Sequence, residues 1–374
     1  MMRIFIFLIL WVILLPSCDF RDNRLEQINS LPFSDTLVID FENLPMPNEK
    51  SSSGTHEGRF YFTFNFLDSM GLYFYDFVSE KWESNFFQKQ GPNGIIKDGP
   101  FLIINDSLAF HPLIGLSGFQ LVNYQARQVQ NFKFPDNRFE VGKISDKSIH
   151  FDGRFIRFPV SFSKSNWDED YVSEVPIYGV FDTYSSNFTS LMKYPEELFG
   201  GTYSLNFLSK TFLVVNDHIY LNMAKSHEIY KYDLGLNLVE EITLQSQNVD
   251  VSNPGLLNDQ ILNMMNSKLG GEYSSLFESD GFLYRTVSYL PNSSNNSVEN
   301  LNGYIEVLET LRFEILKFSL STKVISRYDY SGSPTSKGIG DGLVLKKNSN
   351  LYFWLFDKVE DGKEKFVSLS NISG

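Results

Sequence analysis

Six times along this 374-residue chain a tight polar turn is followed by an aromatic-rich run: "EGRFYFTF" (57–64), "NDSLAFH" (105–111), "DGRFIRF" (152–158), "NDHIYLN" (216–222), "DGFLYRTV" (280–287) and "NSNLYFWL" (348–355). Behind each comes an alternating strand that ends near a small polar residue: "GLYFYDF" (71–77), "GFQLVNY" (118–124), "IYGVFDT" (177–183), "EIYKYDL" (228–234), "EILKFSL" (314–320) and "KFVSLSN" (365–371). Five of these pairs run on into a third strand, as in "LVEEITL" (238–244) and "KVISRYDY" (323–330). Hairpin-linked strands with a period of 47 to 68 residues predict a β-propeller. Each small twisted sheet cannot bury both faces alone and must stack on its neighbours.

The fold class expected is therefore all-β, a six-bladed β-propeller. The outer strand missing from the last blade has a counterpart near the start, "DTLVIDFE" (35–42), which alternates. Paired beside residues 365–371 it would close the ring and remove two open sheet edges. An open β-sandwich has a similar strand count, and a seventh blade is possible if residues 35–57 hide a divergent strand pair. Composition agrees with β structure: 35 Phe, 19 Tyr and 4 Trp make up 16% of the chain, and aromatic residues favour pleated, half-buried surfaces.

Turn length sorts the two rims. With strands a to d named from the axis outward, the a–b and c–d turns are short, as at Asn216-Asp217. The long segments join b to c, "SKSNWDEDYVSEV" (163–175) and "PNSSNNSVENLNGYIEVLET" (291–310), or d to a, among them "KQGPNGIIKDG" (89–99), "PDNRFEVGKIS" (135–145) and residues 245–273. Insertions gathered on one rim mark the expected binding face. Within the last segment Leu256, Leu257, Ile261, Leu262, Met264 and Met265 recur at helical spacing between Asn253-Pro254 and Gly270-Gly271, which predicts a short amphipathic helix.

Motifs that carry chemistry are few. The histidines at 56, 111, 150, 218 and 227 show no i, i+4 metal pair. Asp168, Glu169, Asp170 and Glu174 lack the ligand spacing and glycine of a calcium loop, and neither "GLSGF" nor "GIGDG" has the spacing of a nucleophile elbow or a dinucleotide loop. No cofactor and no metal is expected. In "QGPNG" (90–94), Pro92 fixes φ and Gly94 permits φ above zero, a turn. With 32 basic against 45 acidic residues and a net charge of −13, the chain lacks the basic balance that nucleic acid requires. Binding candidates on the long-loop rim are Asn93, Trp167, Asp168, Asp170, Tyr171 and His227, with the aromatics available to stack on sugars or anchor a peptide.

The N-terminus supplies an address. Arg3 precedes twelve apolar residues, Ile4 to Leu15, then Pro16, Ser17 and Cys18, the sole cysteine. At about 1.5 Å per residue the apolar run spans about 18 Å, short of a hydrocarbon core of roughly 30 Å. The order positive, apolar, small reads as an export signal over residues 1–17. "LPSC" resembles the lipobox of bacterial lipoproteins, which implies cleavage before Cys18 and its lipidation, a tether over 18–34, and one propeller domain over 35–374. Asp19 resembles a retention signal of some bacteria and a surface-export signal of others, so both sides of the envelope stay open, with the outer membrane preferred.

The lipobox, the "DTLVID" strand, "GPNGI" after the first blade and the "YKYDL"-type strands together resemble the uncharacterised six-bladed, TolB-like propeller lipoproteins of the Bacteroidota. The resemblance implies fold and habitat and carries no reaction. The function expected is a membrane-anchored binding or scaffold lipoprotein that holds an envelope protein, peptide or glycan. The alternative is a calcium-dependent hydrolase or lactonase-like enzyme using a central funnel.

Overall fold

The computed structural model describes residues 26–30, 33–40, 44, 53–56, 59–91, 93–95, 100–162, 171–199, 201, 203, 207–252, 270–290, 312–330, 339–347, 350–355 and 363–369. Cys18, Trp167, Asp168, Asp170 and the predicted helix residues 253–269 lie outside them.

The chain is all-β and forms a β-propeller arrangement rather than an open sandwich. In chain order the strands are β1 (Glu26–Ser30), β2 (Phe33–Asp40), β3 (Ser53–His56), β4 (Arg59–Asn65), β5 (Ser69–Asp76), β6 (Lys81–Gln88), β7 (Leu102–Ile103), β8 (Leu108–Pro112), β9 (Gly118–Asn123), β10 (Gln128–Lys133), β11 (Phe139–Val141), β12 (His150–Phe151), β13 (Phe155–Phe162), β14 (Pro176–Asp182) and β15 (Asn187–Lys193). There follow β16 (Lys210–Val215), β17 (His218–Met223), β18 (Glu228–Asp233), β19 (Leu238–Thr243), β20 (Glu272–Ser279), β21 (Phe282–Tyr289), β22 (Arg312–Ser319), β23 (Ile325–Tyr330), β24 (Ile339–Lys347), β25 (Asn350–Leu355) and β26 (Lys363–Leu369). Five sheets each contain four consecutive strands, β3–β6, β7–β10, β12–β15, β16–β19 and β20–β23, and these are the first to fifth blades. A further sheet combines β24, β25 and β26 with β2, which runs antiparallel to β26 with Leu37 opposite Phe366. Its inner strand β24 lies against both β20 and β3. No seventh sheet occurs among the described residues.

Burial follows strand position. The second and third strands of a blade are sandwiched between neighbouring blades and read as near-continuous apolar runs; β14 is buried at every residue. The fourth strand faces solvent, so β6, β10 and β15 each bury a single residue near their ends, Phe87, Phe132 and Met192. The aromatic wealth of the chain fills the seams between blades. Phe119 lies 4.9 Å from Phe110 and 5.0 Å from Phe132 within its own blade, and 5.3 Å from both Phe158 and Phe181 of the next. Each such ring contributes about 1.5–3 kcal/mol by burial.

The small polar residue that ends each third strand has a physical role. Its side chain accepts N–H groups of the turn that follows: Asp76 from Val78 and Ser79, Asn123 from Ala126, Asp182 from Tyr184, Asp233 from Gly235 and Asn237, and Ser319 from Thr322. These are Asx-type caps that replace missing backbone partners. The Ser79 and Val78 N–H groups at Asp76, the Arg154 guanidinium at Asp182 and the Asn237 amide at Asp233 hold all three carboxyls below the usual range. Asn216 and Asp217, at φ 48° and 57°, form a two-residue hairpin turn of the left-handed kind that Asn and Asp tolerate.

Three local expectations are corrected. Residues 26–30, read as tether, form β1, which runs parallel along the outer edge of β23. An exposed edge offers unpaired N–H and C=O groups that a polar segment fills through its main chain alone. Residues 139–141, read as loop, form β11 because β12 pairs only with Ile156 and Arg157, leaving Val160 to Phe162 of the eight-residue β13 to be paired. In "QGPNG" the left-handed glycine is Gly91 (φ 95°), not Gly94. Gly94 closes the turn by donating to Gly91 O at 3.1 Å, and a Cβ there would stand 2.9 Å from the Gln90 backbone.

Candidate functional site

Every connection between blade strands longer than five residues joins b to c or d to a, so the long segments share one rim. One of them runs to the axis. After β11, Gly142 N–H donates to Pro159 O at 2.9 Å, and the chain then leaves the sheet. Asp146–Ser148 makes a single 3-10 turn. The buried Ser148 hydroxyl accepts the Ser145 N–H and donates to Ser145 O, both at 2.8 Å, and Ser148 O accepts the Tyr178 hydroxyl at 2.9 Å. Asp146 Oδ2 accepts the Thr55 N–H of β3 at 3.1 Å, across 91 residues of sequence. The turn also lies against β16, and Lys147 Nζ stands 6.0 Å from the Phe277 ring centroid on β20. The first, third, fourth and fifth blades thus meet on this one segment.

Beside it is a cavity of about 160 Å³. Its walls are Lys143, Ser145 and Lys147 of the crossing segment, Ser209, Lys210 and Thr211 at the start of β16, Ala224 after β17, and Glu272 to Leu276 at the start of β20. Both inner strands contribute their first residues, the ends fed by d-to-a connections, so the cavity belongs to the long-loop rim. Among the described residues its lining is largely apolar, with Ile144, Phe212, Tyr273 and Leu276, and into it are set serine and threonine hydroxyls, three lysines and one carboxylate, Glu272.

Each lysine is held differently. Lys143 is exposed, while Lys147 and Lys210 are half-buried. Lys210 Nζ donates to the Tyr194 hydroxyl at 2.6 Å and lies 4.6 Å from that ring's centroid. Burial pushes its pKa down to about 8. Burial also lowers the pKa of Lys147, against the pull of neighbouring Asp146. Just behind the cavity, the buried Lys225 donates to Gly271 O, and burial takes its pKa to about 8 against the fields of Glu272 and Asp250.

Of the sequence-derived candidates, the structure places Asn93 exposed on the turn after β6. Tyr171 opens the short helix α1 (Tyr171–Glu174) and packs half-buried against the hydrophobic cluster between the third and fourth blades. His227 Nδ1 lies 2.7 Å from the Tyr273 hydroxyl, which also accepts the Ser246 N–H at 2.8 Å; burial lowers its pKa. None of the three lines the axial cavity, and they sit on different blades. The lysines at 143, 147 and 210 were not candidates. Their signal in the sequence was faint: basic residues at the axial ends of long connections in an acidic chain. Among the described residues no three His, Cys, Asp or Glu side chains group to hold a metal, and no helix is long and apolar enough to cross a membrane.

Comparison with known proteins places this architecture. Among solved structures, a DUF4221-family protein from Bacteroides vulgatus is similar at a TM-score of 0.69 and 13% identity, covering 90% of this chain and 96% of that one. A Bacteroides fragilis protein described as a putative exported protein is similar at a TM-score of 0.50 and 11% identity, with 92% of this chain and 97% of that one covered. Identities this low speak to fold alone. No curated protein matches the chain. A family model described as a domain of unknown function, DUF4221, matches residues 27–276, more than half of the sequence, and the chain therefore belongs to the DUF4221 family.

Proposed function

We propose that this chain is a lipid-anchored binding protein of the bacterial cell envelope that takes a small ligand in the axial cavity of its long-loop rim. The observation that carries the reading is the cavity itself, which lies where the inner strands of two blades meet a segment crossing from a third, its apolar walls set with a few hydroxyl and ammonium groups. Cavities with a few convergent polar groups are where folds of this kind bind. No observation favours the alternative of a calcium-dependent hydrolase. The reading also takes the sheet of β24, β25, β26 and β2 as a sixth blade that closes the ring. Support comes from β24 lying against β20 and β3, and from Ile39 of β2, fully buried among Phe60, Phe62, Tyr73 and Phe77 of the first blade.

Two experiments test it. Ser209 is exposed at the cavity mouth, so Ser209→Trp should obstruct entry without disturbing the core. Native mass spectrometry of wild type and Ser209→Trp after exposure to envelope extract should show a small molecule retained by the first and lost by the second; equal spectra would sink the cavity as a binding site. For the anchor, Cys18→Ser should move the protein from the detergent phase to the aqueous phase, because each buried acyl methylene contributes about 0.8 kcal/mol to membrane attachment. Unchanged partitioning would remove lipidation from the reading.

A further inference from the structure

We propose that the axial cavity is an oxyanion receptor: Lys147 and Lys210, with Lys143 at the mouth, clamp a carboxylate or phosphate on a molecule about the size of one six-membered ring. The inference rests on the cavity being the ligand site and names the class of ligand.

Ammonium groups taken out of water are ordinarily paired with carboxylates. Here they are not. Among the described residues Lys147 Nζ has no hydrogen bond or ion pair, and its contact is the Phe277 ring at 6.0 Å. Its neighbour Asp146 turns Oδ2 to the Thr55 N–H instead. Lys210 spends its hydrogen bond on a neutral phenol, Tyr194. Glu272, the one carboxylate among the described lining residues, also lies in the field of Lys225 behind the wall. In a chain with 45 acidic residues and a net charge of −13, the described lining sets three lysines against a single carboxylate at one axial point. Low-dielectric walls around these ammonium groups focus their field on an entering anion. Hydroxyls of Ser209 and Ser275, which have no hydrogen-bond partner among the described residues, supply donors for the remaining oxygens. Size sets the scale, since a cavity of about 150 Å³ holds one benzene ring; this one measures about 160 Å³ and opens to solvent beside the exposed Lys143 and Ser209, so it encloses the anionic end of a single-ring ligand whose remainder stands at the mouth.

The test is calorimetric titration of the whole protein at pH 7 with glucuronate, glucose 6-phosphate and glucose, in 50 mM and 500 mM NaCl. One or both acids should bind at least tenfold more tightly than glucose and weaken several-fold in high salt; which acid is preferred separates carboxylate from phosphate. Lys147→Met should weaken acid binding at least tenfold with the melting temperature kept, and Ser209→Trp should abolish it. Acids binding no better than glucose, or acid binding indifferent to Lys147→Met, overturns the proposal. If the extract experiment yields a neutral molecule that Ser209→Trp excludes, the cavity stands as a ligand site and the oxyanion class falls. If nothing is retained and no acid binds, both fall.

Discussion

Arg285→Met lowers the free energy of unfolding by about 3–5 kcal/mol, measured by chemical denaturation at pH 7. Arg285 is fully buried on β21 and uses its guanidinium to tie the fourth blade to the fifth. Nε donates to Asn222 Oδ1 at 2.7 Å, Nη1 to His227 O at 3.0 Å and Leu244 O at 2.9 Å, and Nη2 to Met223 O at 3.2 Å and Ser226 O at 2.6 Å. The Tyr273 ring centroid lies 3.3 Å from Cζ. Among the described residues no carboxylate pairs with it; carbonyl dipoles and the ring face carry the neutralisation, and burial pushes its pKa down to about 9. Methionine fills much of the volume but strands four carbonyls and an amide, and each buried acceptor left unpaired costs about 1–3 kcal/mol. Arg285→Lys keeps the charge but has three donors in place of a planar fork of five, so it should recover less than half of the loss. A methionine variant within about 1 kcal/mol of wild type, the size of an ordinary surface change, would show that water replaces the guanidinium at no cost.

Ile39→Asp should destabilise by about 4 kcal/mol or more, a large part of the roughly 5–15 kcal/mol that holds a typical domain together. Ile39 has no exposed surface, and the Phe60, Phe62 and Phe77 rings of its cluster offer a carboxylate no hydrogen bond. Ile39→Val, which removes one methylene from the same site, should cost about 1 kcal/mol. Because β2 pairs with β26, the aspartate variant should also release the N-terminal segment to limited proteolysis before the other sheets open. A melting temperature within two or three degrees of wild type would mean that β2 does not seal the seam.

The strands were legible to within a few residues because their signals are local. A run such as "NDHIYLN" combines turn residues that adopt φ above zero with the alternation of a paired strand, and β17 lies at His218–Met223. The small polar residues at Asp76, Asn123, Asp182, Asp233 and Ser319 were visible as a pattern, although what they cap was not. Polar segments were misread where main-chain pairing alone makes a strand. The alternation of "DTLVIDFE" announces β2, whereas Glu26–Ser30 has no apolar side to announce it, and only the free edge of β23 turns it into β1.

The candidate residues and the cavity belong to the same long-loop rim, and the described candidates, Asn93, Tyr171 and His227, do not line the cavity. Long connections reveal which rim they share because blade topology alternates, so counting turn lengths is enough. Tyr171 and His227 looked available for binding because aromatic and imidazole groups on loops often are; the structure engages them with a core cluster and with Tyr273. Lys143, Lys147 and Lys210 look like ordinary surface charges along the chain.

Repetition, turn chemistry and aromatic spacing, all properties of neighbours in sequence, determined that this chain is an all-β propeller with one long-loop rim. Tertiary structure alone decided that Asp146 reaches Thr55 and that Lys147 and Lys210 line the same cavity. The reason is geometric: stacking blades around an axis brings together residues that lie whole blades apart in sequence, and no local period records which of them converge.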